Sequence, residues 1–202
     1  MVDNKIDYDF IEIGTSDFRT LIEECDHSAI GLTIEPLDFY LDKLPEKPNV
    51  QKINAAVSLD NKRRESIIYY MPPEVIEEHD LPFWWKGCSR IDEMHPDAIR
   101  FKKEHLYVSK KIPQIPIGEL FDQYNVGAVD FLKIDVEGGD HQILHHLFSY
   151  LTDKETRYYP KRIMFEHKHS KPLLVNKVCE LYASIGYSYK KIDSMDTELV
   201  YK

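Results

Sequence analysis

Apolar residues along the chain fall into short runs, separated by stretches with helical spacing. Phe10-Ile11-Glu12-Ile13 is an apolar run that stops at Gly14, and it reads as a buried strand closed by a turn. Phe18, Leu21, Ile22 and Cys25 then recur at i, i+3, i+4 and i+7, which is one face of a helix. Ser16 or Asp17 suits its N-cap. Ala29 to Ile34 predicts a second strand, ending at Glu35-Pro36. Leu37, Tyr40, Leu41 and Leu44 again have helical spacing, and Pro36 suits a first helical turn. Lys52 to Ser58 predicts a third strand. This opening reads βαβαβ, the pattern of a parallel sheet with crossover helices.

The rhythm breaks over about residues 60–112. Ser66 to Met71 predicts a strand cut off by Pro72-Pro73. The stretch Phe83-Trp84-Trp85-Lys86-Gly87-Cys88-Ser89 and the later Met94-His95-Pro96 look irregular. A long irregular insertion in a compact domain is usually a binding loop or lid. Regular patterning then resumes. Ile117 to Tyr124 predicts a helix, Phe131 to Val136 a strand, and Ile143 to Leu151 a helix. Arg162 to His167 predicts a strand, Leu174 to Ile185 a helix, and Tyr187 to Ile192 with Glu198 to Tyr201 two closing strands. The link Asp193 to Asp196 is too short for a crossover, so those two strands are antiparallel.

Composition narrows the class. The chain has 202 residues and a formal net charge of −9. That fits one folded domain, and its sign disfavours general nucleic-acid binding. Cys25, Cys88 and Cys179 are odd in number and show no metal-finger spacing, which points to reduced thiols and a cytoplasmic location. There is no apolar run of the roughly eighteen residues that span a bilayer, and the N-terminus has no signal-peptide stretch.

In open α/β sheets ligands bind beyond the carboxyl ends of the strands. Acids gather at that predicted edge: Glu12, Asp17, Glu35, Asp135, Glu137 and Glu166. Only 8 glycines occur, and Gly14, Gly138 and Gly139 fall on the same edge, with Gly87 in the loop above it. An acid at the end of the second strand suits the two hydroxyls of a ribose. No G-x-G-x-x-G and no Walker lysine follow Gly14, so a phosphate-free, cationic nucleoside fits best, and S-adenosylmethionine is one. Alternation puts Lys133, Asp135 and Glu137 on one face of a strand, either as a salt-bridged trio or as working groups. Glu166-His167-x-His169 offers a metal reading with Asp135. The same alternation puts His167 and His169 on one side, opposite Glu166. Phe83, Trp84 and Trp85 either form a small core under the loop or stack on a sugar ring.

Phe131-Leu-Lys-Ile-Asp135-Val-Glu137-Gly138 resembles the hallmark of the FkbM methyltransferases. Ile11-Glu-Ile-Gly14, Glu35-Pro36, Asn54-Ala-Ala-Val-Ser58, Gly87-Cys-Ser89 and Phe165-Glu-His167 agree with the family in order and spacing. The resemblance covers about residues 8 to 190. The chain departs from the family where Glu12 replaces an aspartate, where Thr15-Ser16 replace a small residue and asparagine, and where Phe18 replaces a glycine.

The resemblance implies an α/β, Rossmann-like class I methyltransferase fold, with a seven-stranded, mostly parallel sheet and an antiparallel C-terminal hairpin strand. It also implies a single domain over residues 1–202 with the insertion at about 60–112. The chain starts almost at the first strand, which suggests a domain cut from a larger polypeptide with other glycan-processing domains. The expected reaction is S-adenosylmethionine-dependent O-methylation of a sugar or glycan hydroxyl, giving S-adenosylhomocysteine. The cofactor would be held by Glu12, Gly14, Thr15, Ser16, Asp17, Glu35, Pro36, Ala56, Val57 and Asp135. Asp135, His167 and Lys133 would serve catalysis. Trp84, Trp85, Ser89, His95, Glu137 and His167 would line the acceptor side. Two other readings stand beside it. One is a metal-dependent hydrolase using Asp135, Glu137, His167 and His169, with Asp135, Glu166 and His167 as the alternative metal set. The other is a non-catalytic glycan- or partner-binding module.

Overall fold

The computed structural model describes residues 5–16, 18–62 and 64–202. The first part runs β1 (Ile6–Ile13), α1 (Leu21–Glu24), β2 (Gly31–Ile34), α2 (Asp38–Leu41), β3 (Val50–Ile53) and β4 (Ala56–Val57). The middle holds β5 (Glu65–Tyr70), α3 (Pro73–Glu78), β6 (Arg90–Ile91), α4 (Pro96–Arg100) and β7 (Val108–Ile115). The last part holds α5 (Ile117–Gln123), β8 (Val126–Ile134), α6 (Asp140–Leu151), β9 (Arg162–Glu166), α7 (Pro172–Ser184), β10 (Tyr187–Lys191) and β11 (Asp196–Tyr201). No helix among the described residues is long and apolar enough to cross a membrane.

Seven strands form one sheet in the order β10-β11-β9-β8-β1-β2-β3. Pairing is parallel from β9 through β3, and β11 is antiparallel to both β9 and β10. This is the Rossmann-like sheet expected, with its antiparallel closing strand. Strand alternation sorts the residues onto two faces. Ile11 and Ile13 of β1, with Leu132 and Ile134 of β8, join the main core with Ile143, Leu144 and Leu147 of α6 and Val175, Val178 and Tyr182 of α7. Phe10 takes the other face and packs with Ile22, Leu41, Leu44 and Val50.

Glu12 and Lys133 are register partners on adjacent central strands. Glu12 is fully buried. Its Oε1 accepts from Lys133 Nζ at 2.9 Å and its Oε2 from the Leu21 N–H at 2.8 Å. Burial works against the charge on Lys133, but the Glu12 carboxylate outweighs it and holds the ammonium above its ordinary pKa. Burial raises the Glu12 carboxyl against the pull of the same lysine. With a bonded partner on each oxygen, we take the pair as charged.

Three expectations need correction. The N-cap of α1 is Thr20, not Ser16, and Glu23 reaches back to the Thr20 N–H at 3.0 Å. The third strand is two strands: β3 stays in the main sheet, while β4 leaves to pair with β7. The segment 60–112 is not an irregular loop. It supplies most of a second sheet, β4-β7-β5-β6, over a core of Met71, Ile76, Trp85, Cys88, Ala98 and Tyr107. Short strands interrupted by prolines hide the period-two pattern there.

Replacing Lys133 by Met would leave Glu12 buried and unpaired. Urea unfolding should show a loss of about 3 kcal/mol. The double variant Glu12→Gln/Lys133→Met should recover most of it. Equal losses in the single and double variants would contradict this role for the pair.

Candidate active site

The turn after β1 sets the geometry of the site. Gly14 has φ +80°, and a Cβ there would lie 1.9 Å from the Asp135 carbonyl oxygen. Only glycine permits that approach of one backbone to another. The turn then folds onto Glu35, which is 3% exposed at the end of β2. Glu35 Oε2 accepts from the Thr15 and Ser16 N–H groups, each at 3.0 Å, and from Thr15 Oγ1 at 3.2 Å. Its Oε1 accepts from the Leu37 N–H at 2.9 Å. Asn54 Nδ2 donates to the carbonyls of Glu35 and Pro36 at 3.0 and 3.1 Å and fixes the end of β2.

A cleft opens between this turn and the second sheet. Gly14, Thr15, Ser16, Glu35 and Pro36 form one side; Phe18, Gly87, Ser89, Arg90 and Ile91 face them; Asp135 and Glu137 complete it. Its void is about 80 Å³, and small-molecule sites commonly hold ~300 Å³ or more, so the cleft is closed in this form. A larger groove of about 680 Å³ lies between α6 and α7, lined by His141 and Gln142 at the start of α6 and by Leu174, Val178 and Leu181 of α7.

The loop after β8 carries the charged groups. The Asp135 N–H donates to the Ile13 carbonyl at 2.9 Å, continuing the sheet by one bond. Glu137 then takes φ +56° and Gly138 φ +102°. A left-handed non-glycine residue stores strain, and such residues gather at working sites. Asp140, fully buried, holds this loop. Its carboxylate accepts from the N–H groups of Val136 at 3.4 Å, Gly138 at 3.2 Å and Glu166 at 3.3 Å.

Two histidines converge on Glu137 Oε2: His95 Nε2 at 3.2 Å and His169 Nε2 at 3.5 Å. His95 Nδ1 accepts from the Asp97 N–H at 3.2 Å. In the neutral ring this leaves the proton on Nε2, so His95 donates to Glu137. Burial pushes both histidines down to about 4 and keeps them neutral. Burial, then the neighbouring Asp135, raises the Glu137 carboxyl to about 8. Burial, then Glu137 and Asp135, raises Glu166 to about 8.

The structure brings together Gly14, Thr15, Ser16, Glu35, Pro36, Ser89, Asp135 and Glu137 around the cleft. Other expected site residues lie elsewhere. Asp17 is outside the described residues. Glu12 and Lys133 are spent on each other. Ala56 and Val57 are buried in β4, with Val57 in the main core, rather than open to the cleft. Trp85 is buried in the core of the second sheet, and Trp84 stacks on it at 4.6 Å. His95 is 0% exposed and reaches the cleft only through Glu137.

His167 and His169 do not share a side. β9 ends at Glu166 and a turn follows, so alternation stops there. His167 Nδ1 lies 3.0 Å from Thr197 Oγ1, while His169 approaches Glu137 and Glu166. Arg90, Asp140 and the pairing of His95 with Glu137 carry no readable signal of a site, except that Asp140 sits where an acid suits the first turn of a helix.

A family model described as the methyltransferase FkbM domain matches residues 9–189. The chain belongs to the FkbM methyltransferase family. Comparison with curated proteins and with solved structures finds no match. Membership makes the chain a methyltransferase and implies S-adenosylmethionine as the cofactor. In this FkbM domain the residues at the strand ends fit that group chemically. Glu35 is an acid placed for ribose hydroxyls, the Gly14 turn gives backbone access, and Asp135 and Glu137 favour a cation.

Gly14→Ala should destabilise the fold by about 2 kcal/mol or more, because alanine would need a left-handed φ and space already held by a backbone carbonyl. Chemical denaturation measures it. A change under about 0.5 kcal/mol, the range of neutral surface substitutions, would contradict the close approach.

Proposed function

We propose that this chain is an S-adenosylmethionine-dependent O-methyltransferase acting on a hydroxyl of a sugar or glycan. One observation carries the reading. The acid ending β2, the glycine turn after β1 and two carboxylates after β8 line a single cleft at the carboxyl edge of the sheet. The bound cofactor supplies an electrophilic methyl carbon on a sulfonium. Glu35 and the Gly14–Ser16 turn bind and orient its nucleoside. The turn now holds Glu35 Oε2 with three donors, so ribose hydroxyls take over bonds that the protein makes with itself. Asp135 and Glu137 face the cleft, and they hold the proton that the acceptor hydroxyl must lose. Ser89 and Arg90 offer the acceptor polar partners from the second sheet, which suits a polyol. The family resemblance adds sugars and natural products as acceptor classes.

The closed cleft and the saturated Glu35 carboxylate favour a second reading, a non-catalytic module of the same fold. Calorimetry separates the two. The proposal expects saturable binding of S-adenosylmethionine, weakened at least about tenfold by Glu35→Ala through loss of charge-assisted hydrogen bonds. Labelled cofactor incubated with a panel of glycosides should place the methyl group on an acceptor oxygen. No binding heat and no labelled product would favour the module.

A further inference from the structure

We propose that Asp135, Glu137, Glu166 and His169 form a site for one divalent cation of the magnesium or manganese class, at the carboxyl ends of β8 and β9. Oxygens of the three carboxylates lie within 4.8 Å of one another. His169 Nε2 stands 3.5 Å from Glu137 Oε2 and 3.9 Å from Glu166 Oε1, at the side of this group away from Asp135 and in a second group with His95 and Glu137.

A second observation points to a missing ligand. The Glu166 side chain is 9% exposed, and its Oε2 is buried with no hydrogen-bond partner. An orphaned carboxylate oxygen beside two other carboxylates is costly unless a proton or a cation sits among them. Among the described residues, none of the three acids pairs with a lysine or an arginine. Lys133 is held by Glu12, Arg90 Nη2 lies 2.9 Å from Glu93, and Lys168 acts on Glu137 and Glu166 through its charge without an ion pair to either.

The donor set selects the ion. Three carboxylates with one imidazole are mostly hard oxygen donors, which suit magnesium or manganese better than zinc. His95 is not a ligand here, because its Nε2 carries the proton it donates to Glu137. It orients the glutamate, as outer partners of metal ligands do. Asp140 likewise holds the loop between the ligands through backbone N–H groups.

The binding claim stands apart from the methyl-transfer reading. What the ion does rests on that reading: Asp135 and Glu137 also line the cleft, so the ion would face it and could take an acceptor hydroxyl as a further ligand, which makes the oxygen easier to deprotonate, its proton passing to the carboxylate oxygen of Asp135 or Glu137 that the ion leaves free.

The test uses the purified chain, stripped with a chelator and titrated with manganese alone, followed by electron paramagnetic resonance and thermal unfolding. The expected result is saturable binding of one ion per chain with a raised unfolding temperature. Glu166→Gln and Asp135→Asn should each weaken binding at least about tenfold. Glu46→Gln, on the far exposed surface, should not. Circular dichroism checks each variant. Asp135, which is exposed and makes no side-chain hydrogen bond among the described residues, decides the matter if Glu166→Gln fails to fold. No saturable binding at millimolar manganese, or equal binding in the parent and the decisive variants, would overturn the site. Neither outcome depends on cofactor or acceptor, so loss of the metal site and loss of the methyltransferase reading are separately visible.

Discussion

The ion pair between Glu12 and Lys133 governs the centre of this molecule. It joins the two middle strands on one face of the sheet and anchors the first residue of α1 through the Leu21 N–H. It also decides the charge balance of the edge above it. Lys133, two residues before Asp135, is already committed, and Lys168, two residues after Glu166, acts on Glu137 and Glu166 through its charge without forming an ion pair with them. Asp135, Glu137 and Glu166 are left facing one another without a lysine or arginine partner among the described residues. The structural role of one charge thus creates the chemical opportunity of three others.

Backbone constraints place those carboxylates. Gly14 lets the β1 turn press against the Asp135 carbonyl, so the cofactor turn and the β8 loop share one contact. Asp140 ties three N–H groups from that loop and from β9 to one buried carboxylate. The left-handed Glu137 is then held by His95, which comes from the second sheet's segment. Two layers of the fold meet at one side chain. The second sheet is therefore part of the site; Trp85 is packed in its core and Trp84 stacks on it.

Much of this was legible in the chain. The central strands and α5, α6 and α7 follow from clear periodicity, and the Lys133 to Gly138 run marks the right edge and the right family. The rest was hidden for physical reasons. α1 and α2 stand where the spacing put them, but each is a single turn of four residues, so the apolar faces from Phe18 and to Leu44 run beyond the helices and their extents were not legible. Strands β4 and β6 have two residues each, so no alternation exists to read. His95 and Glu137 are 42 residues apart, and only tertiary packing brings them together. Period-two reasoning also ran past the end of β9, which wrongly put His167 and His169 on one side opposite Glu166.

The account rests on where the cofactor lies. A structure of the chain with S-adenosylhomocysteine tests this directly. It should show the ribose hydroxyls on the Glu35 carboxylate, with the Thr15 and Ser16 N–H groups released from it and the cleft widened. The nucleoside seated instead in the groove between α6 and α7, with Glu35 still bonded to its own turn, would contradict it.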